Sequence, residues 1–105
     1  MRQGRDSTRH EPDELTAIRA RIDQIDGQLI DLMATRLDLA VSTLDVKRQN
    51  GLKPTDVRRE AEVVRRGAKL ARDRGLDAEL VRDIFWRLID LSRSGYVSAR
   101  RGLGR

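Results

Sequence analysis

The stretch "DELTAIRARIDQIDGQLIDLMATRLDLAVSTLDVKRQN", Asp13 to Asn50, decides the fold. Its apolar residues fall at Leu15, Ile18, Ile22, Ile25, Leu29, Leu32, Leu39 and Val46. The steps alternate three and four, which is the seam of a helix. Arg36 and Thr43 stand in the same register, where the pattern asks for apolar residues. A guanidinium in an apolar seam is costly unless an anion meets it. The pattern therefore predicts an anion for Arg36.

The length of the stretch is a second argument. No proline interrupts it, and Gly27 costs only about 1 kcal/mol. At 1.5 Å per residue, roughly 36 residues make a rod of about 54 Å. A compact domain of this length is only about 35 Å across. An uncapped helical pattern beyond about 25 residues points to helix pairing. A second copy is expected to cover the rest of the rod, which makes a helical dimer.

The bulk composition agrees. The 105 residues fit one domain, with 38% hydrophobic and 37% charged residues and a single Trp, Tyr and Phe. So few aromatics suit paired helices packed through Leu, Ile, Val and Ala, with oligomerisation supplying burial. The chain has no cysteine, which excludes disulfides, thiolate nucleophiles and Cys-based metal sites. Its one histidine, His10, argues against a His-based triad or metal cluster. No cofactor or metal is expected. No apolar run is long enough to span a membrane, and no signal-peptide core is visible, so the cytoplasm is the expected compartment. The net charge of +5 comes from 22 Lys and Arg, nearly all Arg. Such a chain can attract nucleic acid or a small polyanion. The arginines form no single stripe interleaved with aromatics, which argues against nucleic acid.

Residues 1–12 read as a disordered arm, 13–98 as one helical domain and 99–105 as a flexible basic tail. Asp13 is placed to cap the first helix. Asn50-Gly51 stops it, and Pro54 forbids continuation. A second helix is expected from Asp56 to about Arg74, with Val57, Ala61, Val64, Ala68 and Ala71 on its apolar side. Gly75 stops it, and Asp77 caps a third helix carrying Leu80, Val81, Ile84, Phe85, Leu88, Ile89 and Leu91, then Ser92 and Tyr96. This third helix is expected to fray after Gly95. The fold class is all-α, three helices with one very long N-terminal helix.

Lys47 lies eleven residues after Arg36, only about 20° away around a helix axis. Ala40 and Thr43 lie between them, so one face reads as a pocket floor bounded by two cations about 16 Å apart at the backbone. Asp56, Arg59 and Glu60 share one face of the second helix, where an exposed Asp56–Arg59 pair is the bland alternative. Ser92 and Tyr96 continue the apolar face of the third helix. Their bland alternative is a serine bonded to its own helix and a tyrosine at the rim. Arg19 is about 25 Å from Arg36 along the rod. It can reach such a pocket only from a second, antiparallel copy; otherwise it is an exposed partner of Asp23.

The order "IRARIDQIDGQLIDLMATR", then Lys47, then "DVRRE", then Phe85 and Ser92, resembles the all-helical chorismate mutase family over about Leu15 to Tyr96. The resemblance implies an intertwined homodimer of three-helix chains with two active sites. Arg19 matches the arginine that the partner contributes to each site. Arg36 and Lys47 match the cations that bind carboxylate and ether oxygen. Asp56 and Glu60 match residues near the C4 hydroxyl, and Arg59 and Ser92 match further contacts to a dianionic small molecule. The implied reaction is the [3,3] rearrangement of chorismate to prephenate on the way to phenylalanine and tyrosine. It needs no nucleophile, metal or cofactor, only positioning and cations aimed at a developing charge.

Two departures bear on the substrate. Tyr96 stands where the best-known bacterial members have Gln beside the ether oxygen, and Thr43 replaces an apolar pocket residue of some members. A phenol donates the same hydrogen bond from a bulkier group. Related enzymes of this fold use 4-amino-4-deoxychorismate or eliminate pyruvate from isochorismate. Asp56 and Glu60 suit a C4 ammonium as well as a hydroxyl, while "DVRRE" looks more like a mutase than a lyase. A larger regulatory partner enzyme, as in part of the family, is a further possibility for the tail.

Overall fold

A computed structural model describes residues 11–103 of the chain, with side chains through residue 98. The expected arm up to residue 10, His10 with it, and residues 104–105 of the expected tail lie outside the described residues. The described chain holds three helices and no strand: α1, Asp13–Gln49; α2, Val57–Asp73; and α3, Ala78–Leu103. Among the described residues no helix is long and apolar enough to cross a membrane.

Local chemistry sets the ends of these helices. The Thr16 N–H donates to the Pro12 carbonyl at 3.1 Å. Pro12 therefore holds the cap position expected of Asp13, and Asp13 and Glu14 sit in the first turn, where the helix dipole favours carboxylates. At the other end Leu52 N–H reaches back to the Lys47 carbonyl at 2.8 Å and Gly51 N–H to Arg48 at 3.3 Å. This double closure needs a left-handed residue, and Gly51 supplies it at φ 66°. The same pair of bonds, Leu76 to Ala71 and Gly75 to Arg72, closes α2, with Gly75 at φ 72°. Asp56 caps α2 through the Arg59 N–H, and Asp77 caps α3 through the Leu80 N–H at 3.0 Å.

The chain forms two compact units, Met1–Ala34 and Thr35–Arg105. In the first, among residues 11–34, no residue is buried and only Met33 is half-buried. The seam residues are open: Ile18, Ile22, Ile25 and Leu29 are each about half exposed, and Leu32 is 66% exposed.

The second unit has a core of Leu44, Val64, Ala68, Ala71 and Ile89. α2 and α3 approach closely because α2 turns small residues inward. Gly67 is buried, and a Cβ added there would meet the Phe85 ring at 2.7 Å. Gly95 does the same for α3. A Cβ there would meet Leu37 Cδ1 at 2.5 Å and Val41 Cγ2 at 3.0 Å. The glycine that led to an expected fraying point is thus a point of close packing, and α3 continues to Leu103. Val57, expected on the apolar side of α2, is 72% exposed in its first turn. Within this unit α1 is covered on the side of Leu37, Ala40, Val41 and Leu44, while the seam residues Leu39 and Val46 stay exposed.

Candidate active site

The second unit encloses an open cavity of about 380 Å³. Arg36, Ala40, Thr43 and Lys47 line it from α1, Asp56, Arg59 and Glu60 from the start of α2, and Ser92, Arg93 and Tyr96 from α3. The i, i+4, i+7, i+11 spacing on α1 puts its four on one face. The loop between α1 and α2 is closed by Gly51 at one end and Asp56 at the other, and this brings the α2 N-terminus to the cavity. Arg19 does not line it. Its guanidinium forms an ion pair with Glu11, not with Asp23.

Most polar groups of the lining have a definite partner. Arg36 Nη1 donates to Ser92 Oγ at 3.2 Å, and Ser92, itself buried, donates to the Leu88 carbonyl at 3.1 Å. The serine is therefore both a helix-bonded hydroxyl and a rest for the guanidinium. Lys47 Nζ donates to the Pro54 carbonyl at 2.8 Å and lies 5.7 Å from the centre of the Tyr96 ring. That distance is within cation–π range, worth about 0.5–1 kcal/mol at a partly open site. Thr43 Oγ1 donates to the Ala40 carbonyl at 2.6 Å, so its lone pairs rather than its proton remain for a ligand.

The carboxylates are also engaged. Asp56 Oδ1 accepts the Arg59 N–H at 3.1 Å. The expected Asp56–Arg59 side-chain pair does not form, because the cap claims the carboxylate; the Arg59 guanidinium turns to Glu62 at 2.6 Å. Glu60 is gripped by Arg93, with Nη2 to Oε1 at 2.5 Å and Nε to Oε2 at 3.2 Å. This bond and the charge of Glu60 raise the Arg93 pKa above its ordinary value. The sequence reading missed Arg93. The contact joins residues 33 apart on different helices, and no local spacing announces it.

The lining thus carries four cations and two carboxylates, a net double positive charge. The carboxylates are already held by Arg93 and by the α2 cap. Arg36 and Lys47 meet only a hydroxyl, a carbonyl and a ring among the described residues. Two cations without an anion face a small cavity with apolar walls at Leu39, Val63 and Ile89. Such an arrangement is chemically suited to a small anion.

The chorismate mutase type II family matches residues 18–95, most of the chain. The chain belongs to this family. Among its relatives, the T-protein of Enterobacter agglomerans is 36% identical over 85 residues, 81% of this chain and 22% of that protein. The 4-amino-4-deoxychorismate mutase of Streptomyces pristinaespiralis is 34% identical over 73 residues, 70% of this chain and 57% of that protein. The chorismate mutase of Methanocaldococcus jannaschii is 32% identical over 82 residues, 78% of this chain and 83% of that protein. The chain therefore spans about a fifth of the first relative and a little over half of the second. The three helices and absence of strands among the described residues fit the all-helical make-up of this family.

Proposed function

We propose that the protein is a chorismate mutase, an isomerase that converts chorismate to prephenate. The observation that carries this reading is the pair Arg36 and Lys47, two cations lacking an anion across one small cavity. In the reaction a C–O bond breaks and a C–C bond forms within one molecule, and no atom enters or leaves. Such a step is accelerated by holding the folded, chair-like conformer. Arg36 holds a carboxylate. Lys47, with the Tyr96 ring beside it, faces the ether oxygen, where negative charge grows as the bond breaks. Donors aimed at a developing charge are each worth about 10²–10³ in rate. Ser92 steadies Arg36, and Thr43 and Arg59 complete the contacts. Asp56 and Glu60 form the end of the cavity that takes the ring hydroxyl.

The Streptomyces relative is named for the amino analogue, and the two carboxylates would suit an ammonium. One observation favours the hydroxyl: Glu60 is already neutralised by Arg93. We therefore assign chorismate ahead of 4-amino-4-deoxychorismate.

We further propose that the working unit is an intertwined homodimer in which the partner's Arg19 completes each site. The exposed seam from Leu15 to Leu32 supports it, since so continuous an apolar stripe marks an interaction surface. The deciding assay is loss of chorismate absorbance on incubation with the protein. No turnover above the uncatalysed rate rejects the activity. The dimer has its own test, mixing Arg19→Ala and Arg36→Ala chains. Each is inactive alone, and random exchange regenerates one intact site per mixed dimer, about a quarter of full activity. No recovery rejects the shared site.

A further inference from the structure

We infer that Arg93 is a specificity-determining residue: by gripping Glu60 it sets the carboxylate end of the cavity to accept a hydroxyl and to reject an ammonium. The inference rests on the mutase reading above and deepens it.

The grip is two-pronged. Both Glu60 oxygens are taken, one by Nη2 and one by Nε of the same guanidinium. A planar fork of this kind fixes the orientation of a carboxylate as well as its charge. Glu60 is well shielded, its side chain 14% exposed, whereas Arg93 is 46% exposed. Glu60 is therefore the fixed member of the pair, and Arg93 covers it from the open side. Each oxygen keeps a further lone pair, enough to accept one O–H from a ligand.

Charge decides which donor fits. Arg93 itself lines the cavity with Glu60, together with Asp56, Arg59, Arg36 and Lys47. An ammonium arriving at Glu60 stands beside a guanidinium and meets its repulsion. A neutral hydroxyl meets none. Without the Arg93 charge, Glu60 and Asp56 become two carboxylates at one end of the cavity, a better seat for a cation than for a hydroxyl. Arg93 acts by its charge and by its hold on Glu60, so its role is positioning and selection and not direct chemistry.

The test compares kcat/KM for chorismate and 4-amino-4-deoxychorismate in wild type, Arg93→Gln, Arg93→Lys, Glu60→Gln and the Glu60→Gln/Arg93→Gln double variant, with circular dichroism to verify folding. Arg93→Gln is expected to move the ratio toward the amino compound about tenfold, the scale of one like-charge contact at a partly solvated site. Arg93→Lys is expected to keep the wild-type preference, because the neutralising charge survives. Glu60→Gln is expected to move the ratio toward chorismate, because the guanidinium is then left without its carboxylate beside an arriving ammonium, and the double variant is expected to fall between the two single variants. A ratio in Arg93→Gln that stays at the wild-type value overturns the inference. So does a Glu60→Gln ratio that moves toward the amino compound, which leaves the charge at this end of the cavity no part in the choice. Wild-type turnover of neither substrate overturns the mutase reading and this inference together; turnover of chorismate with an unmoved ratio overturns the inference alone.

Discussion

From Leu15 to Leu32, α1 presents Leu15, Ile18, Ile22, Ile25, Leu29 and Leu32, and the chain leaves every one of them exposed. From Arg36 to Lys47 the same register is broken by Arg36 and Thr43, yet Leu44 is buried and Leu37, Ala40, Val41 and Lys47 are half-buried. The unbroken stripe is the uncovered one. The apolar content of a stretch measures what it is able to bury, and not what its own chain covers. The interrupted stretch is the one that holds the cavity, because a face that carries Arg36 and Lys47 cannot also be a continuous seam.

The largest effect is expected where that second stretch meets the ligand. Arg36→Ala should lower kcat/KM by about 10²–10³, the loss typical of a donor to developing charge, with the helical circular dichroism unchanged. A near-normal rate would place the site elsewhere. Leu44→Ala attacks the covered stretch through packing. It should cost about 2–4 kcal/mol of stability in chemical denaturation, since Leu44 is only 4% exposed. Gly67→Ala should cost about 1–3 kcal/mol, because a Cβ there runs into the Phe85 ring.

Substitutions in the uncovered stretch separate the two regions more sharply. Ile22→Lys should weaken self-association about tenfold or more by sedimentation, a charge replacing one buried side chain of a paired seam. An unchanged association would mean that the open stripe pairs with nothing. The smallest effect belongs to Gly27→Ala. Nothing lies within 4 Å of a Cβ there, so helix propensity alone should raise the melting stability by about 1 kcal/mol. The same change thus carries opposite signs at Gly27 and Gly67.

Local features were legible before any coordinates. Gly51, Gly75, Asp56 and Asp77 mark helix ends because turn geometry and capping depend on a few neighbouring residues. The grouping of Arg36, Thr43 and Lys47 follows from spacing on a single helix in the same way. Asp56, Arg59, Glu60, Ser92 and Tyr96 join them through the family resemblance, and the cavity brings all eight together. Contacts between helices were not legible. The Arg93–Glu60 grip has no signature in either segment. Gly95 looked like a weak point because glycine weakens an isolated helix, whereas here its missing side chain makes room for Leu37 and Val41. The choice of face on α1 was also hidden, since large side chains dominate the pattern while Ala40 and Val41 do the packing. Asp13 lost its cap to Pro12 because a carbonyl one residue earlier was in reach of Thr16.

The bond from Lys47 to the Pro54 carbonyl ties the α1–α2 connector to the chemistry. An ammonium carries three N–H groups. One is moored to a stiff proline-bearing segment, and two are left to swing toward a guest. Much of the rotational freedom that a long side chain surrenders on binding is already gone before the guest arrives. On the proposed mechanism, the length and rigidity of a seven-residue connector therefore help to tune the turnover of a reaction in which the connector takes no chemical part.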